Sequence, residues 1–388
     1  MKRVANLYEF ICEFNVILNM TYSVCGRVKN KKKVDIFETY MSEHLYNIKN
    51  RLDDRDLNVG KYNIFMITDP KCRIVMAQNI EDKIINHLIA EYVLVKVFEK
   101  KYPDSMCATR VGKGTLYGVK LLKKYLNLMK RNYNNFYYLK IDIKKYFYSI
   151  DHNILKRILR DNIKDKDSLD MLFSIIDSTN LEYVNISINK LKEGRKKYLI
   201  NSNLLNKEKL IEEVNNIPLY EKGKGVALGN QTSQAFGLIY LYEFNRFLNE
   251  ELHLKYVVNY MDDFIIIHHD KDYLKYCLKE IKNNLKENYK LDINYKKTNV
   301  NGIKNGIDFL GYHFLFKNNK LILRLRLRTK KKLKNKVKKL NLLYDKKLIS
   351  ESDYTQGLAS YKGLLKWGSC NDLYYKVMKG EQNDRKIL

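Results

Sequence analysis

The stretch KYVVNYMDDFIIIHH, residues 255–269, is apolar on both sides of two adjacent acids and predicts a buried β-hairpin with Asp262 and Asp263 at its tip. A second apolar run, Tyr137 to Ile143 within FYYLKIDIKKYFYSIDHNILKRIL, predicts a buried strand ending in Asp142. YNIFMITDPKCRIV, from Tyr62 to Val75, predicts two short strands around a turn at Asp69 and Pro70 that presents Lys71 and Arg73 together. LILRLRLR, residues 321–328, alternates as a strand with one basic face, and Leu333, Val337 and Leu340 then mark one stripe of a basic helix. Helical spacing also appears from about Ile80 to Glu99, after Asp151, in the segment 225–248 behind a glycine turn, and near 271–287. Residues 1–60 read as helical with a solvated break at KNKKK. Residues 180–222 are polar with little periodicity and read as an insertion between elements.

Composition narrows the class. The chain has 388 residues, 45% of them hydrophobic, with no run of eighteen apolar residues, which predicts a soluble protein of two or three subdomains and no membrane span. Glu9 and Glu13 interrupt the apolar N-terminus, so no export signal is expected. Six cysteines (Cys12, Cys25, Cys72, Cys107, Cys277, Cys370) lack CxxC spacing and fit a reducing cytosol better than a zinc site or disulfide framework. Lys and Arg number 72 against 44 acids, a net charge of +28, and such a field attracts a polyanion, nucleic acid first. Codon bias in an AT-rich genome accounts for part of the lysine excess. Placement accounts for more: residues 317–347 hold fourteen Lys or Arg and one acid, Asp345. Two consecutive basic elements suit a phosphate backbone, with a solvated face as the alternative.

Asp142, Asp262 and Asp263 are the chemical signal. Buried carboxylates without partners cost several kcal/mol or are neutralised by shifted pKa values. If the three converge, they make an all-oxygen site for hard divalent cations; the other reading is a hairpin turn, where Asp is common. Asp151 precedes an amphipathic helix and reads as an N-cap. RVGKGTLYG, residues 110–118, flanks Lys113 with glycines but lacks the spacing of a Walker loop. His268 and His269 are adjacent on a strand, where side chains point to opposite faces, so a shared transition-metal ion is not expected.

YMDD at Tyr260–Asp263, with Asp142 upstream, resembles the palm of reverse transcriptases, and other blocks follow in that family's order. TDPKCRIV, NIEDKIINHLI and RVGKGT resemble fingers blocks, IDIKKYFYSID motif A, LGNQTSQAFGLIYL motif B, YKKT motif D and FLGY motif E. The resemblance covers about residue 60 to the C-terminus. It implies an α+β right-hand polymerase: an N-terminal helical extension (1–60), fingers (61–135), an antiparallel palm (136–179 and 225–316) interrupted by a variable insertion (180–224), and a small basic thumb (317–388).

It further implies Asp142 and Asp262 as principal ligands of two Mg²⁺ ions, for which Mn²⁺ could substitute, with the Ile143 carbonyl and Asp263 completing the set. Phe147 matches the aromatic that excludes a 2′-hydroxyl; a core Phe is the alternative. Lys71, Arg73, Arg110 and Lys113 would neutralise triphosphate or template phosphates, and Gln234 would line the nascent base pair. Lys297 matches the lysine thought to protonate pyrophosphate, a solvated lysine being the plainer reading. Arg324, Arg326, Arg328, Lys330, Lys331, Lys334 and Lys338 would hold nucleic acid. Expected partners are an RNA template of structured noncoding type, a cDNA product, dNTPs and a small accessory protein.

Motif B in the form LGNQTSQ is nearer diversity-generating retroelement enzymes than retroviral or group II intron ones, although Gln231 replaces the usual Leu. A defence-associated enzyme copying a dedicated noncoding RNA is the rival, and a noncatalytic RNA-binding or splicing-assistance protein is the alternative from another class.

Overall fold

The apolar strands assemble into three antiparallel sheets, and the middle one positions the acids. The computed structural model describes residues 3–368 apart from Lys29, Leu57, Val59, Pro70 and Trp367. Cys370, the Pro70 half of the expected turn and positions 369–388 of the expected thumb lie outside the described residues. β1 (Asn63–Ile67) and β2 (Arg73–Ala77) form a hairpin. β3 (Tyr137–Asp142), β4 (Tyr256–Tyr260), β5 (Asp263–His268) and β6 (Asn299–Gly302) form a four-stranded sheet in the order β4-β5-β3-β6. β7 (Ile307–Phe309), β8 (Tyr312–Lys317) and β9 (Lys320–Leu325) form the third sheet.

The continuous apolar runs of β3 and β5 have a direct cause: their sheet is covered on both faces. Leu139, Ile141, Phe264 and Ile266 pack into a core built with helices that include Ile80–Ile89 and Gln231–Glu250. Tyr138, Ile265 and Ile267 pack the opposite way, against the Thr115–Asn132 helix, the third sheet and the basic Leu327–Asp345 helix. Each fully buried Ile contributes about 1.5–3 kcal/mol relative to exposure.

Several expected elements differ in extent. The helix from Ile80 continues as far as Lys101, through a π-helical segment at Ala90–Val95. The strand expected over 321–328 stops at Leu325, because the Arg326 amide turns to the Gly311 carbonyl and the Arg326 carbonyl opens the next helix by accepting from Lys330. Arg324 therefore stands on a strand and Arg328 on a helix.

The larger correction concerns 180–222, which folds as helices Glu182–Ile200 and Lys207–Asn215. Val184, Ile188, Ile217 and Tyr220 bury against Tyr62, Ile74 and Met76 of the β1–β2 region. Asp151 is an N-cap as expected, accepting from the Ile154 amide at 3.1 Å. No helix among the described residues is long and apolar enough to cross a membrane.

Candidate active site

Register decides the site. Asp142 on β3 pairs directly with Asp263 on β5, and paired residues of an antiparallel ladder share a face with Cα atoms about 5 Å apart. Asp262 lies in the two-residue turn between β4 and β5, next to the Tyr260–Asp263 pair. The Ile143 amide donates to the Asp262 carbonyl at 3.1 Å, which draws the hairpin tip onto the end of β3. Both readings of the acidic pair thus hold together: Asp262 makes the turn, and it does so beside Asp142. Met261 before it adopts a left-handed φ of 57°, a conformation that costs an L-residue about 1–2 kcal/mol. The strained tip is held from below, since Asn259 Nδ2 donates to the Met261 carbonyl at 2.6 Å and Asn259 itself is bound through its backbone to Ser105 and Cys107.

Each acid has a distinct environment. Asp142 accepts from Lys297 Nζ at 2.7 and 2.9 Å and from Asn294 Nδ2 at 2.9 Å. Its backbone is fixed too: the Asn294 amide donates to the Asp142 carbonyl at 2.7 Å, and the Asp142 amide donates to Thr298 Oγ1 at 3.3 Å. Asp263 faces Lys140, whose Nζ stays 3.6 Å from Oδ1, and that oxygen is buried without a hydrogen-bond partner. Burial pushes Asp263 up to about 6; Lys140 opposes the shift and the Asp262 charge adds to it. Burial also raises Asp262, and the Asp142 charge contributes.

The donor set fits a hard divalent cation: three half-buried carboxylates at one end of the sheet, two with raised pKa values and one oxygen unsatisfied. With Asp142 turned to Lys297 and Asp263 to Lys140, no three His, Cys, Asp or Glu among the described residues enclose a common point.

Beside Asp262 lies a cavity of about 450 Å³. Lys71 and Arg73 line it from the β1–β2 hairpin, and Phe147 lines it from the short turn after β3. Phe147 is half-buried, its ring edge-on to Tyr146 at 5.5 Å. Gly237 allows this approach, since a Cβ there would meet Phe147 Cε1 at 3.3 Å and Met261 Sδ at 3.5 Å. Gly229 does similar work for the motif B turn: the Leu228 carbonyl accepts from the Met76 amide at 2.8 Å, and a Cβ on Gly229 would lie 2.8 Å from the Met76 carbonyl oxygen. The turn thereby clamps onto β2 and closes one side of the cavity.

Three expected site residues stand elsewhere. Arg110 is buried in an ion pair with Glu99 at 2.9 Å, donates to the carbonyls of Pro103 and Met106, and lies over the Tyr102 ring. Its cation fastens the 99–110 loop. Lys113 pairs with Asp104 at 2.5 Å, and Gln234 lies in a small pocket with Arg110. Neither lines the cavity of Lys71, Arg73 and Phe147. Arg324, Arg326, Arg328, Lys330, Lys331, Lys334 and Lys338 are all exposed, with Arg326 paired to Asp308 at 3.2 Å. His268 and His269 have ring centroids 4.4 Å apart, not on opposite faces, because β5 ends at His268.

The structure adds residues that sequence reading missed. Lys140 stands between Leu139 and Ile141 on β3 and its Nζ donates to the Asp308 carbonyl at 2.8 Å, a contact that nothing in the sequence announced. Asn294 and Thr298 flank Lys297. Lys145, in the left-handed region at φ 49°, together with Glu213 and Asn216, also lines the cavity. Glu213 and Asn216 come from the segment read as an insertion.

The chain belongs to the reverse transcriptase (RNA-dependent DNA polymerase) family, whose model matches residues 67–314, more than half its length. It is 29% identical over 211 residues to the COX1/OXI3 intron 2 protein of Saccharomyces cerevisiae, a match covering 47% of this chain and 24% of that relative. Among solved structures, apo telomerase from Candida tropicalis, truncated of its C-terminal domain, aligns with TM-score 0.44 and 17% identity over 69% of this chain and 55% of that one. Telomerase from Candida albicans in complex with a TWJ fragment of telomeric RNA aligns with TM-score 0.42 and 15% identity over 81% of this chain and 55% of that one. The chain thus spans little more than half of these structures and under a quarter of the yeast relative.

Proposed function

We propose that the chain is an RNA-directed DNA polymerase that synthesises cDNA by nucleotidyl transfer in the cytosol. The observation that carries the reading is the β3–β5 register: Asp142 opposite Asp263, with Asp262 bonded to the end of β3 at the rim of the cavity. Asp142, Asp262, Asp263 and the Ile143 carbonyl would hold two Mg²⁺ ions, which when bound activate the primer 3′-hydroxyl and stabilise the leaving pyrophosphate. Lys71 and Arg73 would bind the triphosphate of an incoming dNTP. Phe147 would pack under its sugar and leave no room for a 2′-oxygen. Lys297 pairs with Asp142, and its exposed ammonium would move to pyrophosphate and donate a proton. Fingers (61–135), palm (136–179 and 225–316) and thumb (317–388) divide the work between nucleotide, chemistry and nucleic-acid grip.

Within the family, LGNQTSQ supports a retroelement enzyme working with a structured noncoding RNA and a small accessory protein; a defence enzyme copying its own noncoding RNA is the rival. Neighbouring genes separate the two, through a duplicated template repeat or a lone noncoding RNA. The similarity to an intron protein favours a second reading, RNA binding that assists splicing without polymerisation.

The test is extension of a primer on RNA with dNTPs and magnesium. The polymerase reading predicts extension by the wild type and none by Asp262→Ala, with RNA binding retained in both. Wild-type protein that binds RNA and adds no nucleotide, with its native RNA and partners present, establishes the second reading.

A further inference from the structure

A cleft of about 650 Å³ lies away from the carboxylates. One wall is the C-terminal half of the Thr115–Asn132 helix and the loop behind it, which contribute Lys123, Asn127, Lys130, Arg131 and Asn134. The other is the turn between β8 and β9, which contributes Asn319 and Lys320. Asn318 and Asn319 both adopt positive φ, 49° and 59°, the two-residue hairpin geometry in which Asn is tolerated. That tight turn holds Lys320 at the cleft. Among the described residues no acid lines either wall.

Spacing along the helix indicates the ligand. Lys123, Asn127, Lys130 and Arg131 recur at three- and four-residue intervals, so their donors lie on one face about 5–6 Å apart along the axis. A regular row of Lys, Arg and Asn donors without carboxylates suits the evenly repeated anionic oxygens of a phosphate chain, whose contacts come from these side-chain types. Lysine and arginine at a helix C-terminus also complement the dipole, but that accounts for the last turn only and not for Lys123 or Lys320. β3 runs from the cleft toward the catalytic end of the sheet: Asn134 precedes it and Asp142 ends it, and the strand itself, Tyr137 to Asp142, spans about 17 Å at strand rise.

We propose that this cleft is a second nucleic-acid site, gripping the sugar–phosphate backbone of a segment that does not enter the carboxylate site. It goes beyond the polymerase reading and does not depend on it, because it concerns binding alone.

The experiment measures fluorescence anisotropy of two blunt probes, an RNA hairpin and a DNA hairpin of the same sequence, across 50–200 mM salt without nucleotides. The variants are K123E/K130E/R131E and K123Q/K130Q/R131Q, each made also in the Asp262→Ala background. The charge-reversed protein is expected to lose at least tenfold in affinity, and the neutral one several-fold with a salt slope lower by about 2–3, roughly one unit for each phosphate contact removed. Loss with both probes assigns a generic backbone site, and loss with RNA only assigns an A-form one. Affinity and slope unchanged for both probes overturn the proposal, as they would if the cleft bound an acidic protein. All three side chains are half-buried or exposed, and the glutamine variant keeps the test readable if charge reversal unfolds the chain.

Discussion

At Asp263 a carboxylate is held where it costs stability. One oxygen is buried without a hydrogen bond, and Lys140 stays out of bonding range. Replacing that charge by an amide removes a desolvated anion. Asp263→Asn is therefore expected to raise the melting temperature of chelator-treated protein by a few degrees while lowering polymerase activity. An unchanged or lower melting temperature, read by circular dichroism, would mean that the buried charge is already compensated. Phe147 gives the second prediction at this scale: Phe147→Val should raise incorporation of ribonucleotides relative to deoxynucleotides by roughly tenfold or more, since the half-buried ring lines the cavity while it also packs against the core. Competition assays with dNTP and rNTP pairs measure it. These acids and Phe147 were legible because apolar surroundings make a charge conspicuous and because their order along the chain matches a family. Lys140 and Asn294 were not, since ordinary polar residues acquire meaning only when β3 and the 294–298 segment meet.

The helices Glu182–Ile200 and Lys207–Asn215 show why an element can hide. Their apolar positions are few, and Val184 and Ile188, both on the first helix, bury against the β1–β2 hairpin. A stripe this thin among lysines and asparagines leaves little periodicity to detect. Their packing carries Glu213 and Asn216 to the cavity, so Ile188→Ala should cost about 2–4 kcal/mol and also raise the KM for dNTP. A stability loss with unchanged KM would show that the helices are scaffold only.

The helix from Ile80 makes a pH prediction. His87 is buried, and burial, helped by Arg27 and Lys83, lowers its pKa to about 4. Its folded value lies below the ordinary 6.5, so its neutral form stabilises the fold above that pH. The stabilisation is lost as pH falls from about 6.5 toward 4, a difference of about 3 kcal/mol. Urea titrations at pH 7 and 4.5 should show a smaller acid loss for His87→Gln than for wild type; equal losses would remove His87 as the cause.

For the whole molecule, charge and sheet geometry act at different ranges. The net charge of +28 and the exposed cations of the Leu327–Asp345 helix draw a polyanion in, an attraction that salt screens. Lys332 reaches Asp69 at 2.6 Å, linking that helix to the β1–β2 turn across the molecule. The pair is exposed and worth under about 1 kcal/mol, so it leaves the two elements free to part around a duplex. The α+β architecture followed from strand patterns and motif order; the cleft by the Thr115–Asn132 helix did not, because its walls are far apart in sequence.

The polymerase reading rests on the meeting of Asp142, Asp262 and Asp263. The most direct test is the rate of single dNTP addition to a primer annealed to RNA, measured for wild type, Asp142→Asn and Asp262→Asn alongside primer–template affinity. The account predicts a loss of roughly a thousandfold or more in each variant, with affinity within a few-fold of wild type. Near-wild-type addition by either variant would contradict it.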